Sequence, residues 1–322
     1  MAGYQGNVAW WALAKQGSGK GSAATLPTGA SLIPFSGGSI QPTRETGNLA
    51  ETDATRDQGL SYVVRTGAEG TPEAYARDSY AHTLFAAALG TVASTGTTNY
   101  VHTITPSNSL SYYTIWRNQS DALWEKFTDC FVSELTFKSE AGAPATLAAS
   151  VMGRTPERLT ASPVTTETVN NDPVYNYNTA AVSLGGSSTN LVSSFELSIN
   201  NNVSVQQTDD VVPYDMVPGQ REVNLSFDLI LENLNEYNKF FYGSTSGTTA
   251  STTISTTSFE LTLAGASANN EIKFSIPSLA YEAFPVEPNP NGDPITVSVR
   301  AQAQRPSSGS IITATVKNQK SA

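Results

Sequence analysis

Between Val192 and Ile199, Phe195, Leu197 and Ile199 alternate with Ser194, Glu196 and Ser198, the period-two pattern of a strand with one dry face. From Val223 to Leu231 the odd positions are all apolar and the even ones, except Ile230, are polar, which predicts a second such strand. The stretch between them, Asn200 to Arg221, is polar and reads as a long loop. Beyond the second strand, Leu234, Tyr237, Phe240 and Phe241 fall at helical spacing. Asn233 is placed to cap that helix, Glu236 to reach back to the cap, and Gly243 to end it.

The same succession stands earlier in the chain. Ser39 to Thr46 reads as an edge strand, because Pro42 lacks the N–H that a sheet interior needs. Gly47 to Gln58 is a polar loop, and Leu60, Tyr62 and Val64 mark the next strand. Thr71 and Pro72 are expected to cap and open a helix whose apolar face is Ala81, Leu84, Phe85, Ala88 and Leu89, closed by Gly90. After this helix, strands are predicted at Tyr100 to Ile104, Ser111 to Trp116, Phe131 to Phe137 and Ala145 to Gly153. After the other, they are predicted at Ser258 to Leu263, Ile272 to Leu279 and Pro294 to Ala301. The shared order implies a tandem duplication: an N-terminal arm over 1–34, modules over 35–160 and 185–305, a linker over 161–184 and a C-terminal tail over 306–322.

Composition agrees with a mainly β chain. Charged residues make up only 14 % and hydrophobic ones 39 %, with Ser and Thr filling the gap beside 24 Gly and 17 Pro. A formal net charge of −10 argues against a body that grips nucleic acid through phosphates. The single cysteine, Cys130, cannot form a disulfide within the chain and reads as a small buried hydrophobe. The apolar run Val8 to Ala14 is too short for a secretory signal or a membrane span, so synthesis and assembly in a cytoplasm are expected.

Candidate chemistry is sparse. Gly17 to Ser22 resembles a phosphate loop in composition but not in spacing, and reads as a flexible linker. His82 and His102 have no spacing partner for a metal and read as structural. Asp209, Asp210 and Asp215 lack the ligand register of a calcium loop and read as a solvated acidic loop. Glu196, Asp228 and Glu260 lie on polar strand faces, where they are candidates to line an exposed or lumenal surface. No catalytic constellation, metal site or cofactor is predicted, and the chain is not read as an enzyme.

Leu84 to Gly90 followed by Tyr100 to Ile104, Asp129 to Phe137 and Ser150 to Arg154 resembles the first half of the tail tube proteins of long-tailed bacteriophages. Val192 to Asn202, the Pro218-Gly219 turn and Tyr237 to Gly243 are similar to the same family in the second half. The resemblance implies tandem β-sandwich modules, each with one flanking α-helix. Their inner sheets would close into a barrel around a channel, with rings stacked into a hollow tube that conducts DNA. It also implies that the long loop after the first strand of each module makes ring-to-ring contacts. By position these are Arg44, Glu45, Asp53, Arg56 and Asp57 in the first module and Asp209, Asp210, Tyr214, Asp215 and Arg221 in the second. Deleting Val205 to Val217 is expected to leave a folded protein that cannot elongate tubes. The expected partners are further copies of the chain, other tail proteins (tape measure, tail tip and terminator) and transiting DNA without specific binding, with no membrane. Single-module members of that family are understood to form six-fold rings, so for two modules per chain the resemblance implies a trimeric, pseudo-hexameric ring in the virion. The rival reading is a virion surface or adhesin β-sandwich in which Tyr112, Tyr113, Trp116 or Trp124 stacks on a glycan.

Overall fold

The alternating stretches fold as antiparallel strands, because each must bury one face and pair both edges. The structure is a computed structural model of the chain and describes residues 8–27, 31–51, 57–120, 122–167, 169–267, 269–288, 290 and 294–320. The first half contains β1 (Trp10–Lys15), β2 (Ile33–Pro34), β3 (Ile40–Asn48), β4 (Ser61–Gly70), β5 (Glu73–Tyr75), α1 (Asp78–Leu89), β6 (Gly90–Thr95), β7 (Tyr100–Pro106), β8 (Tyr113–Ser120), β9 (Leu123–Glu140) and β10 (Thr146–Leu159). The second contains β11 (Ala180–Leu184), β12 (Ser187–Thr189), β13 (Val192–Asn200), β14 (Ser204–Gln206), β15 (Asp215–Val217), β16 (Glu222–Ile230), α2 (Asn235–Tyr242), β17 (Thr256–Ala264), β18 (Glu271–Ala283), β19 (Thr296–Ala303) and β20 (Thr313–Asn318).

All strands but β14 and β15 belong to one continuous 18-stranded sheet that folds over on itself. One layer runs β5, β10, β9, β13, β16, β19, and the facing layer runs β11, β17, β18, β20, β7, β6. β18 crosses between them: its first residues pair with β17 and β20, its last with β19. The core lies between the layers, where Phe227 of β16 stacks on Phe259 of β17 with ring centroids 5.9 Å apart. Phe137 meets Phe195 and Phe274 at 5.2 Å each, and Phe85 of α1 meets Phe274 at 4.9 Å. Aromatics of both halves therefore share one core.

Within this sheet the path β3–β4–β10–β9 and the path β13–β16–β19–β18 use the same pairings in the same order. In each path the helix follows the second strand and stops at a glycine. β13 also pairs with the end of β9, from Ser194 opposite Glu140 to Asn200 opposite Glu134, which joins one path to the other.

Several sequence expectations are corrected. The N-terminal arm is built into the sheet: β1 pairs with β8, so Trp10 and Trp11 face opposite ways and both are buried. The C-terminal stretch supplies β20, inserted between β7 and β18 because Ile312, Ala314 and Val316 alternate with polar residues and bury. The linker region holds β11, paired with β17, and buries Tyr175 and Tyr177. Thr71 and Pro72 do not open a helix, because the chain first forms β5 against β10 and α1 starts at Asp78. Gly17 to Ser22 is fastened rather than loose: the Gly21 N–H donates to Asp129 Oδ1 at 2.7 Å, and Lys20 pairs with Asp215 at 3.3 Å. At α2, Asn233 accepts from the Asn235 N–H, while Glu236 turns away from the cap to Lys239 at 2.6 Å.

Candidate channel face and assembly arms

Alternation gives the β5 to β19 layer one dry and one wet face. Ala74, Leu147, Phe137, Leu197, Leu225 and Ala301 occupy one register row on the dry side, and all are buried. One residue away, the wet side carries Tyr75, Thr146, Lys138, Glu196, Ser226 and Arg300 in a row across six strands. The next row holds Glu140, Ser194, Asp228 and Ser298. Glu73, Glu134 and Glu222 complete the acidic set, so six carboxylates stand against the two cations Lys138 and Arg300. The face is concave, with a depression of about 760 Å³ lined by Lys138, Glu140, Glu196, Ser226, Asp228 and Arg300 among others.

Hydroxyls bond two of these carboxylates. Ser194 and Ser298, from the strands on either side, each donate to Asp228 at 2.6 Å, and Ser198 donates to Glu134 at 2.6 Å. Short hydroxyl donors solvate these charges without a counter-ion and leave the net charge of the face unchanged. The structure thus brings Glu196 and Asp228 together on one face. Glu260 lies in the other layer, on β17, pairing with Lys273 at 3.2 Å and accepting from Ser275 at 3.1 Å. Sequence reasoning missed Glu73, Glu134, Glu140, Glu222, Lys138 and Arg300 as members of this face, because only the cross-strand register assembles it.

The two long loops differ in what holds them. Asn200 to Arg221 is a hairpin arm carrying β14 and β15 that lies across the first half of the same chain. The Thr66 N–H donates to Val211 O at 2.8 Å, and Arg154 donates to Pro213 O at 2.5 Å. Asp215 accepts from the Tyr112 hydroxyl at 2.8 Å and from Lys20 at 3.3 Å. Burial alone would raise the Asp215 carboxyl, but the bonds from Tyr112, the Met216 N–H and Lys20 hold it below the usual range. Tyr214 is exposed with Lys20 over its ring, and Asp209 and Asp210 are exposed. Arg221, with its pKa lowered by burial, donates to Ser107 O at 2.7 Å and to Asn201 Oδ1 at 3.0 Å.

In the first half Arg44 and Glu45, assigned by position to the long loop, lie instead in β3, because the strand runs to Asn48. The β3–β4 hairpin projects with little cover: Arg44 and Glu45 are exposed, Glu45 pairs with Arg65 at 3.4 Å, and Asp57 is exposed. Asp53 and Arg56 lie outside the described residues. Apolar Leu49, Leu60, Tyr62, Val63 and Val64 are exposed on the same hairpin.

The aromatics of the rival reading offer little platform. Tyr113 and Trp116 are buried, Tyr112 packs on Phe131 at 4.7 Å and bonds Asp215, and Trp124 is half-buried. Among the described residues, no group of three or more His, Cys, Asp or Glu is placed to hold a metal ion. No helix among them is long and apolar enough to cross a membrane.

Two facing antiparallel layers with a wet acidic face and projecting hairpins define a mainly β, sandwich-type scaffold protein. A family model described as phage tail tube protein matches residues 12–303, and the chain belongs to that family. It is a structural component of a phage tail. No curated protein matches the chain.

Proposed function

We propose that three copies of this chain close into a ring, that rings stack into a hollow tube, and that the wet face of the β5 to β19 layer lines the channel through which DNA leaves the particle. The observation that carries this reading is the repeated path β3–β4–β10–β9 and β13–β16–β19–β18, which supports an internal duplication over about 35–160 and 185–305. Within the chain the two paths join where β13 pairs with β9. A like joint between chains extends the sheet in a ring of fixed circumference, and two modules per chain close a six-module barrel with three chains.

Outside its pairing with β4, β3 has no described strand partner, and ring closure removes such an open edge. An acidic lumen lets DNA slide, since each basic phosphate contact would add attraction. The exposed hairpin tips are suited to contacts between rings, and the ends of the tube to tape measure, tail tip and terminator proteins. The chain is made in the host cytoplasm and ends in the virion, and has no enzymatic role.

Negative-stain microscopy of the concentrated purified protein tests the reading. Annuli or tubes with three chains per ring are expected. Monomers at every concentration and salt would overturn it, and six chains per ring would overturn the trimer.

A further inference from the structure

The ladders of the two halves match residue by residue, down to a shared irregularity. In β9 with β10, Glu134 pairs with Ser150 and Val132 with Val151, skipping Ser133. In β18 with β19, Ala283 pairs with Arg300 and Tyr281 with Ala301, skipping Glu282. Glu134 therefore corresponds to Ala283. Val151 leads through Gly70 of β4 to Ile40 of β3, and Ala301 leads through Leu225 of β16 to Leu197 of β13, so Ile40 corresponds to Leu197. The bridge of Gly37 to Glu73, with Glu73 opposite Ala148, repeats in the same register the pairs of Ser194 with Asp228 and of Asp228 with Ser298.

Inside the chain, the end of β9 is the edge that receives β13: Asn200 lies opposite Glu134, Ile199 opposite Leu135 and Leu197 opposite Phe137. The matching edge in the second half runs on from Ala283 through Phe284 and Val286 to Pro288, and has no described strand partner beyond Ala283. The matching first strand is β3, whose outer edge is open. Ile40 and Phe284 are buried, as are their counterparts Leu197 and Leu135. Pro42, however, is exposed where Ile199 is buried, and Val286 is 38 % exposed where Phe137 is 1 %. These two positions of the dry face are covered at the internal joint and bare at the two ends of the path. One residue beyond the joint, Asn201 donates to Ala88 O at the end of α1 at 2.9 Å. Its counterpart is Arg44, which is exposed and has no hydrogen bond or ion pair among the described residues. A cation there suits the negative end of the corresponding helix, α2.

We infer that β3 of one chain pairs antiparallel with residues 283–287 of a second copy, with Thr43 opposite Ala283, Pro42 opposite Phe284 and Ile40 opposite Val286. This rests on the ring reading above and specifies its joint between chains. At the internal joint the Asn201 N–H donates to Ser133 O at 2.7 Å, so by alternation Leu197 and Phe137 form a hydrogen-bonded pair, and Ile40 and Val286 do likewise. Ile40 O accepts from Arg117 within the chain and keeps a second lone pair for the Val286 N–H. Pro42 deprives the joint of one bond. Pro285 directs its missing N–H to the opposite edge, where β18 has already stopped pairing with β19. Thr43 and Ala283 extend the wet face, as Asn200 and Glu134 do at the internal joint. The contact is heterologous, one edge against a different edge, so it generates a closed ring rather than a two-fold dimer.

A disulfide tests the register, because residues directly opposite in a non-hydrogen-bonded pair bring their Cβ atoms within bridging range. Thr43 and Ala283 are such a pair in the joint. Within one chain they stand at opposite ends of the path β3–β4–β10–β9–β13–β16–β19–β18, so a bridge between them links two chains. The native cysteine does not interfere: Cys130 is fully buried and burial raises its thiol pKa. A chain carrying both Thr43→Cys and Ala283→Cys is assembled under reducing conditions and then oxidised. On a non-reducing gel it should give linked chains up to the closed ring, at least tenfold above either single variant. It should exceed by the same factor the pair Gln41→Cys and Ala283→Cys, which shares the face but is out of register. Assembled particles that yield only single chains after oxidation would overturn the joint while leaving the ring reading intact, and equal linking by the offset pair would overturn its register. An unaltered protein that never assembles would overturn both readings. Should the double variant fail to assemble, amide hydrogen exchange on the unaltered protein decides. Residues 39–44 and 284–287 should exchange at least tenfold more slowly in the assembled form than in the monomer, and equal rates would overturn the proposal.

Discussion

Buried polar side chains in this protein are held by specific partners, and the two histidines are the most sensitive of them. His82 and His102 stack with ring centroids 4.4 Å apart and an interplanar angle of 15°. The hydroxyl of Ser94 lies 2.8 Å from His102 Nδ1, and Asn318 of β20 reaches both rings, at 3.1 Å from His82 Nδ1 and 3.0 Å from His102 Nε2. Burial, and then the neighbouring His102, pushes the pKa of His82 down to about 4. The unfolded chain takes up this proton near pH 6.5 and the folded chain only near 4. Stability from this site is therefore complete above pH 6.5 and is lost as pH falls towards 4. The full loss is about 3 kcal/mol at 1.36 kcal/mol per pKa unit. Urea midpoints measured at pH 7 and pH 4.5 should fall accordingly, and His82→Gln should flatten the slope. An equally steep slope in that variant would assign the acid sensitivity to carboxylates. Arg221→Ala leaves the carbonyl of Ser107 and the amide oxygen of Asn201 without their donor. It should cost roughly 2–3 kcal/mol, read by chemical denaturation, with Arg221→Lys recovering part of the loss.

At the scale of elements, the strand that ties the molecule together is the last. β20 is hydrogen-bonded on one edge to β18 of the second half and on the other to β7 of the first. A strand flanked on both edges has no free N–H, so proline is excluded from its middle. Thr315→Pro should cost roughly 2–4 kcal/mol, from a lost ladder bond and an orphaned carbonyl, and thermal unfolding would record it. Pro42 is tolerated in β3, where only one edge is paired. Both features are legible in the sequence to different degrees. Pro42 announces an edge, whereas the Ile312, Ala314, Val316 alternation is short, built partly from a small residue and flanked by Ser and Gly, so it reads as a tail. The start of α1 was obscured for a related reason. Thr71-Pro72 has the chemistry of a helix opening, but pairing of Glu73–Tyr75 with β10 satisfies more backbone groups than an extra helical turn would. α1 and α2 have similar spacing in sequence, yet only the tertiary structure buries one and leaves the other half-covered.

Over the whole molecule, the acidic excess gathers where the cross-strand register places it. Glu196→Lys and Asp228→Lys together would shift the wet face from six carboxylates and two cations to four of each. Ejection of DNA from particles carrying this variant should slow at low salt and recover as salt rises, because phosphate attraction is screened and counterions compete. Unchanged ejection kinetics at low salt would remove that face from the channel. Deleting Val205 to Val217 removes Asp215 and with it the bonds to Tyr112 and Lys20, so it should lower stability as well as stop tube growth. A variant that still grows full-length tubes would exclude the arm from stacking.

The sequence by itself determined the type of the longer elements, the dry face of the strands that alternate clearly, the order of strands and helix in each half, and the acidic, Ser- and Thr-rich character of the chain. These depend on periodicity and composition, which are local. What only the tertiary structure decided is which polar residues share a face, that β20 and β1 complete the sheet, and that one arm is already seated while the other projects. Those outcomes depend on register and on pairing between residues far apart in the chain. Asn318 against His82, or Asn201 against Ala88, meets a partner more than a hundred positions away. A one-residue slip of β13 would have placed Glu196 in the core and Phe195 in the water, and nothing in either residue's neighbourhood fixes where the partner strand begins.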